Sequence, residues 1–323
     1  MRVLVTGAGG YIGSQTCKEL KRLGYEVVAN DRQLVKHEYQ DAIEMGSYAN
    51  IRNTVLETVD AIIHIGATSL VGPSVENPAM YYQNNVGGTM DLLDRCRETG
   101  VKKFIFASSA ACYGEPENGV CTIADGNTPS NPYGWTKRMT EVMLSDYAKA
   151  YGIDSVSLRF FNVAGADSDG EMGQEKQATH IIARAMESAM ANDTFTLFGT
   201  DYPTKDGTCI RDYIHVEDIA RAIGCSIDFL NSNAGAYVFN LGSGTGYSNL
   251  EIIEAINANI PLTVNLVHGP KRPGDPPCLI ADTTETKILG WQPIHKLDKI
   301  VQTAYNWYNI KSEKNIDEQI STN

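Results

Sequence analysis

The sequence has little of what marks secreted, membrane-spanning or nucleic-acid-binding chains. Its seven cysteines (Cys17, Cys96, Cys112, Cys121, Cys209, Cys225 and Cys278) are odd in number, and none stand at CxxC spacing. That argues against a disulfide framework and against a zinc site, so no metal is expected, and it fits a reduced compartment. No apolar run is long enough to span a membrane, and the opening Arg2-Val3-Leu4-Val5 reads as a strand rather than a leader. A cytoplasmic protein is expected. Basic residues number 27 against 39 acidic ones, for a net charge of -12. Such a surface repels nucleic acid and anionic membranes, so neither is an expected partner. A phosphate-ester substrate would need particular Arg or Lys residues to hold it against the overall field.

What is present is alternation. The 323 residues suffice for one large α/β domain and a smaller second lobe. Val3–Val5, Glu26–Ala29, Ala61–His64, Phe104–Ala107 and Ser155–Leu158 read as buried strands. Amphipathic stretches lie between several of them: Tyr11–Leu23, Ala79–Arg97 and Pro132–Tyr151. Strand-helix alternation predicts a doubly wound, parallel, Rossmann-type sheet. Segment 163–176 (AGADSDGEMGQEKQ) reads as a boundary or lid, and 269–277 (GPKRPGDPP) as a functional loop or linker. The polar residues 311–323 (KSEKNIDEQISTN) are expected to be disordered.

Residues 6–13 read TGAGGYIG, placing Gly7, Gly10 and Gly13 between a strand and a helix. One glycine permits the tight turn, one lets backbone amides approach a pyrophosphate, and one lets the helix pack close to the strand. The helix N-terminus then favours the phosphate charge. An ordinary strand-helix turn could carry the same triplet, but its place after the first strand favours a dinucleotide site. Asp31 closes the second strand, where a carboxylate accepts hydrogen bonds from a ribose 2′-hydroxyl and repels a 2′-phosphate, selecting NAD over NADP. Arg32 beside it could hold a 2′-phosphate, or be a solvated loop charge.

Tyr133 and Lys137, in YGWTK, stand four residues apart on one helix face. A tyrosine, with a usual pKa of about 10, needs a neighbouring cation to act as a base. Ser109 ends the strand FIFASS, at the edge of a parallel sheet where ligands bind. Taken singly, such a serine commonly caps a turn, and Tyr-x-x-x-Lys pairs are common on surface helices. Combined with the glycine fingerprint, the three make a strong catalytic constellation.

TGAGGYIGSQTC (6–17), YYQNNVGGT (81–89), FASSAACYG (106–114), NPYGWTK (131–137), LRFFNVAGA (158–166), FGTDYPTKDGTCIRDYIHVEDIA (198–220), YVFNLGSGTGYS (237–248) and RPGDPP (272–277) run through nearly the whole chain. On these segments the sequence resembles the extended short-chain dehydrogenase family, and within it the UDP-glucose 4-epimerases. The block from Phe198 to Ala220 is the most specific of them. The resemblance implies a Rossmann-type sheet with a smaller C-terminal α/β substrate lobe. The NAD-binding domain would take residues 1–162 and 212–241, and the UDP-sugar lobe 163–211 and 242–310. It implies NAD as cofactor, a UDP-sugar as substrate, and a homodimer formed through the helices at Ala79–Arg97 and Pro132–Tyr151.

By the same resemblance Tyr133 removes the sugar 4-hydroxyl proton, Ser109 assists, and Lys137 binds the nicotinamide ribose and tunes Tyr133. Hydride leaves C4 for NAD, giving a 4-keto sugar that turns and takes it back on its other face, so that UDP-glucose and UDP-galactose interconvert. Gly7, Gly10, Tyr11, Ile12 and Gly13 would cradle the cofactor, with Asp31 on its ribose, Asn50 and Ile51 at the adenine and Asn85 close by. Tyr113 would border the nicotinamide. Asn162 and His180 would contact the diphosphate or sugar, Arg211 and Arg272 clamp the diphosphate, Asp275 hold the uridine ribose, and Phe198 line the uracil pocket or belong to the core. The sequence departs from the family in a short 31–61 segment, in Asn50 for the usual Asp, Ser69 for a customary Lys, and Phe160 for a frequent Tyr. Leu279 stands where residue size is thought to gate N-acetylated sugars.

Rival readings remain at this stage. Other UDP-sugar 4-epimerases, for N-acetylhexosamine, pentose or uronate forms, share every catalytic residue. A sugar-nucleotide dehydratase needs acidic residues after Ser109, where this chain has Ala110 and Ala111. An ADP-heptose-type epimerase would prefer NADP, against Asp31. A non-catalytic NAD-binding module would be expected to have lost the tyrosine.

Overall fold

The structure, a computed structural model, describes residues 1–33, 35, 37–125, 127–175, 180–271 and 275–321. Seven strands build the main sheet: β1 (Arg2–Thr6), β2 (Glu26–Asp31), β3 (Ala42–Met45), β4 (Ala61–His64), β5 (Lys103–Ser109), β6 (Asp154–Phe160) and β7 (Ala236–Leu241). All neighbours are parallel, in the order β7-β6-β5-β4-β1-β2-β3. Strands covered on both faces need continuous apolar runs: Val3, Leu4, Val5, Ile62 and Ile63 are fully buried. The strand order reverses between β1 and β4. At such a switch point the chain leaves in opposite directions and opens a crevice beyond the carboxyl ends of the strands.

Helix α1 (Tyr11–Arg22) follows β1 at once. The stretch expected as one helix over Ala79–Arg97 is broken. A turn at Pro78–Tyr81 passes through a π-helical segment, Tyr82–Gly87, into α2 (Gly88–Thr99). Asn85 holds the wide turn. Its carbonyl oxygen accepts from Thr68 N at 2.8 Å, and its amide donates to Thr68 O at 2.9 Å and to Thr136 Oγ1 at 3.1 Å. Helix α3 (Pro132–Tyr151) has the predicted bounds. Asn131 Oδ1 accepts from Gly134 N at 2.9 Å, Pro132 fits the first turn, and Gly152 closes the helix at φ +63°.

The second lobe is assembled from scattered strands. Ile210–His215 pairs in parallel with Asn162–Ala164 and Cys278–Ala281 and antiparallel with Gly246–Ser248; Cys278–Ala281 pairs onward with Val120–Cys121. Asn265–Gly269 and Thr194–Phe198 form a separate parallel pair. A distinct core, including Ile182, Met186, Ile252, Ile256, Val301 and Trp307, fills this lobe. Asp212 lies in the strand Ile210–His215, whose Ile214 already packs in the main-sheet core, and the helix that follows, α4 (Val216–Phe229), adds Ile219 and Ile223 to the α1 core. The last helix, α5 (Leu297–Ser321), runs through residues 311–321, which were expected to be disordered. Lys, Glu and Gln are good helix formers, so polarity alone does not end a helix. Among the described residues no helix is long and apolar enough to cross a membrane.

Candidate active site

A cavity of about 650 Å³ lies along the switch-point crevice and continues to the second lobe. Its nucleotide end is shaped by glycines. Gly7 turns at φ +70°, and a Cβ there would fall 2.8 Å from the Gly66 backbone. A Cβ on Gly13 would come within 1.9 Å of Gly7 O. Only a chain without side chains at these points can bring α1 so close to β1. Gly7, Gly10, Tyr11, Ile12 and Gly13 all line the cavity. Asp31, at the end of β2, also lines it and accepts from Gly9 N (3.0 Å) and Gln33 N (3.0 Å). This cradle, with a carboxylate at the ribose position, fits a dinucleotide with a free 2′-hydroxyl.

Ser109, Tyr133 and Lys137 line the cavity together. Lys137 is buried, donates to Ala107 O at 2.7 Å, and lies 4.8 Å from the Phe106 ring centre and 5.8 Å from that of Tyr133. Burial pushes its ammonium down to about 8, against the upward pull of Cys112 and Glu141. Burial pushes the Tyr133 phenol up to about 12, and a hydrogen bond with Ser109 works in the other direction. Ser109 Oγ also accepts from Ala111 N at 3.2 Å, fixing the turn that follows β5.

At the far end the cavity is lined by Asn162, His180, Arg211 and Asp275. Arg211 Nη2 stands 3.7 Å from Asp275 Oδ1, and Nη1 donates to Ile210 O at 2.9 Å. Phe160, Leu279 and Ser69 line the walls. Arg272 lies outside the described residues.

Five expected contacts are not on the wall. Ile51 is fully buried in the core beneath the sheet and Asn50 is exposed beside it; Gly46 and Tyr48 line the cavity instead. Asn85 is buried behind the wall, and Asn84 faces the cavity, because the π-turn rotates the pair. Phe198 ends the strand Thr194–Phe198 against Gly269, away from the lining. Tyr113 is buried with its hydroxyl donating to Asn240 Oδ1 at 2.6 Å, outside the lining.

Sequence reasoning missed Tyr48 and Gln174, which have no motif, and Asn84, whose motif pointed to its neighbour Asn85, and it underrated Arg32. Arg32 lines the cavity, donates to Asn84 Oδ1 and sits 6.0 Å from the Tyr48 ring centre. His215, Glu217 and His295 gather potential metal ligands elsewhere. There His215 Nδ1 accepts from Glu217 N (3.1 Å) and Nε2 faces the Thr303 hydroxyl (2.9 Å), so both nitrogens are engaged.

Comparison with known proteins gives the family. The model of the NAD dependent epimerase/dehydratase family matches residues 3–242. The chain is 41% identical to a UDP-glucose 4-epimerase of Lactobacillus helveticus, covering 95% of this chain and 97% of the relative. Its structure is similar to that of the Brucella ovis UDP-glucose 4-epimerase in complex with NAD (TM-score 0.88, 42% identity, 94% and 97% of the two chains). It is also similar to the Bifidobacterium longum enzyme in complex with NAD+ and UDP (TM-score 0.87, 31% identity, 96% and 98%). Matched by the family model over most of its length and by these relatives nearly end to end, the chain belongs to the NAD dependent epimerase/dehydratase family.

Proposed function

We propose that the protein interconverts UDP-glucose and UDP-galactose by epimerising the sugar at C4. The observation that carries this reading is that Ser109, Tyr133 and Lys137 line the same cavity as the glycine cradle and Arg211. A nucleoside diphosphate bound at Arg211 would extend its sugar toward the trio. Arg211 is already half-satisfied by Asp275; a diphosphate takes up the guanidinium's remaining donors, for which its planar fork is suited. Asn162 and His180 supply polar contacts beside it.

Tyr133 takes the 4-hydroxyl proton as C4 is oxidised and returns it when C4 is reduced on the opposite face. Ser109 bonds the same sugar oxygen and relays the proton. Lys137 holds the phenolate by its charge and stays fixed through Ala107 O. When bound, NAD supplies the hydride acceptor at C4 and a positive ring near the phenol. Ala110 and Ala111 follow Ser109 on the wall, so no carboxylate stands there for the proton transfers of a dehydratase.

The relatives named above carry UDP-glucose 4-epimerase activity in their names, which supports this sugar over N-acetylated, pentose or uronate forms. Phe160 and Leu279 are the walls that would exclude them. We place the protein in the cytoplasm, in keeping with seven unpaired cysteines, and as a homodimer. Trp135, Met139 and Val142 follow one another at helical spacing on α3, exposed, with Met90 exposed on the neighbouring α2. An apolar stripe of this kind needs a cover.

Proton NMR of the purified protein with UDP-galactose tests the reading. UDP-glucose anomeric signals should grow in. No conversion with NAD supplied, or conversion of UDP-N-acetylgalactosamine alone, would overturn it.

A further inference from the structure

Beneath the catalytic trio lies a buried ion pair that the proposed reaction does not use. Glu141 and Arg159 are 4% and 1% exposed. Arg159 Nε donates to Glu141 Oε1 at 2.8 Å and Nη2 to Oε2 at 2.7 Å. Ser108 Oγ, 2% exposed, donates to Glu141 Oε1 at 2.6 Å. Arg138 reaches Oε2 from the same helix at 3.3 Å, and the Arg159 guanidinium lies 4.5 Å from the Tyr113 ring centre.

Each member is one step from the site. Glu141 follows Lys137 by one helical turn and Tyr133 by two, on the same face of α3. Ser108 precedes Ser109 at the end of β5. Arg159 precedes Phe160 at the end of β6, and the register sets Ser108 beside Arg159 and Ser109 beside Phe160. The pair therefore ties the helix that carries the base and the lysine to the two strand ends that carry the serine and the cavity wall. Stability does not explain it, because burying two charges costs about as much as their attraction returns, and apolar replacement of such pairs is often neutral. A fixed separation between helix and strand ends does explain it. A bidentate guanidinium-carboxylate pair has one geometry, where apolar side chains would slide.

We infer that Glu141, Arg159 and Ser108 are positioning residues that set the distance between Tyr133 and Ser109 and keep Lys137 charged beside them. This rests on the reading of Tyr133 as the base.

The test is steady-state kinetics with UDP-galactose over a pH series, run in parallel on Glu141→Gln, Ser108→Ala and the double variant Glu141→Leu/Arg159→Met. For Glu141→Gln, kcat should fall about 10- to 100-fold, as for a misplacement of about 1 Å, with KM little changed. Its alkaline limb should move to lower pH, because the unbalanced Arg159 disfavours a second cation at Lys137. Ser108→Ala should lose less, with the limb in place. The double variant should fold and melt near the parent temperature, yet remain slow. It supplies the answer if Glu141→Gln does not fold. Parent kcat and limb in the folded variants would overturn the inference. Tyr133→Phe separates the two claims: if it keeps full activity the base assignment fails, and if it alone is inactive only the positioning role fails.

Discussion

The Lys137 ammonium stands 5.8 Å from the centre of the Tyr133 ring, and burial disfavours the charged form of each, driving their proton affinities apart, the phenol up to about 12 and the ammonium down to about 8. A cation beside a phenol favours the phenolate. Lys137 is charged below about pH 8, so its support for Tyr133 is present there and is lost as the pH rises through that value. The parent rate should therefore decline above about pH 8. In Lys137→Met, kcat should fall by about 10²- to 10⁴-fold, and what remains should climb with pH as hydroxide takes over deprotonation. Paired pH-rate profiles check both; a variant profile that parallels the parent would refute the coupling.

Gly13 leaves no room for a methyl group, since its Cβ would meet Gly7 O at 1.9 Å. Gly13→Ala should lose about 1–3 kcal/mol of stability and most of its NAD affinity together, because α1 must move off β1. Denaturant unfolding and NAD titration should show the two losses in one variant.

Asp31 holds the Gly9 amide through one oxygen and the Gln33 amide through the other. Asp31→Ala should weaken NAD binding about 10- to 100-fold, the value of hydrogen bonds to a charged group. NADP binding should hold or improve, since the carboxylate that repels a 2′-phosphate is gone and Arg32 remains beside the ribose position. Calorimetry with both cofactors decides. An equal loss for the two would mean that Asp31 does not discriminate.

Met139 and Val142 are 40% and 45% exposed on α3. The double variant Met139→Glu/Val142→Glu should convert a dimer into a species of 35.3 kDa by light scattering. A parent protein that already scatters at that mass would remove the dimer from the proposal.

The site was legible in the sequence where it is built from short-range pattern. The glycines, Asp31, Ser109, Tyr133 and Lys137 each sit at a strand end or helix start, so periodicity and spacing locate them. Asn50 and Ile51 were misplaced because their position depends on how a shortened connection folds, and no local signal reports that. Asn84 and Asn85 exchanged roles for a similar reason: a π-turn shifts helix phase by about 100° per extra residue, and α-helical periodicity cannot foresee it. The Glu141–Arg159 pair was invisible, because two charged residues on different elements reveal their contact only when the sheet brings them together.

The second lobe has a sheet drawn from Val120–Cys121, Asn162–Ala164, Ile210–His215, Gly246–Ser248 and Cys278–Ala281. The main sheet in turn takes its last strand from Ala236–Leu241. Neither lobe is a continuous stretch of gene. No single crossover between relatives could exchange one substrate lobe for another and leave both sheets whole. A new sugar preference in such a chain has to arise by substitution in place, at cavity walls such as Phe160 and Leu279, and not by swapping modules.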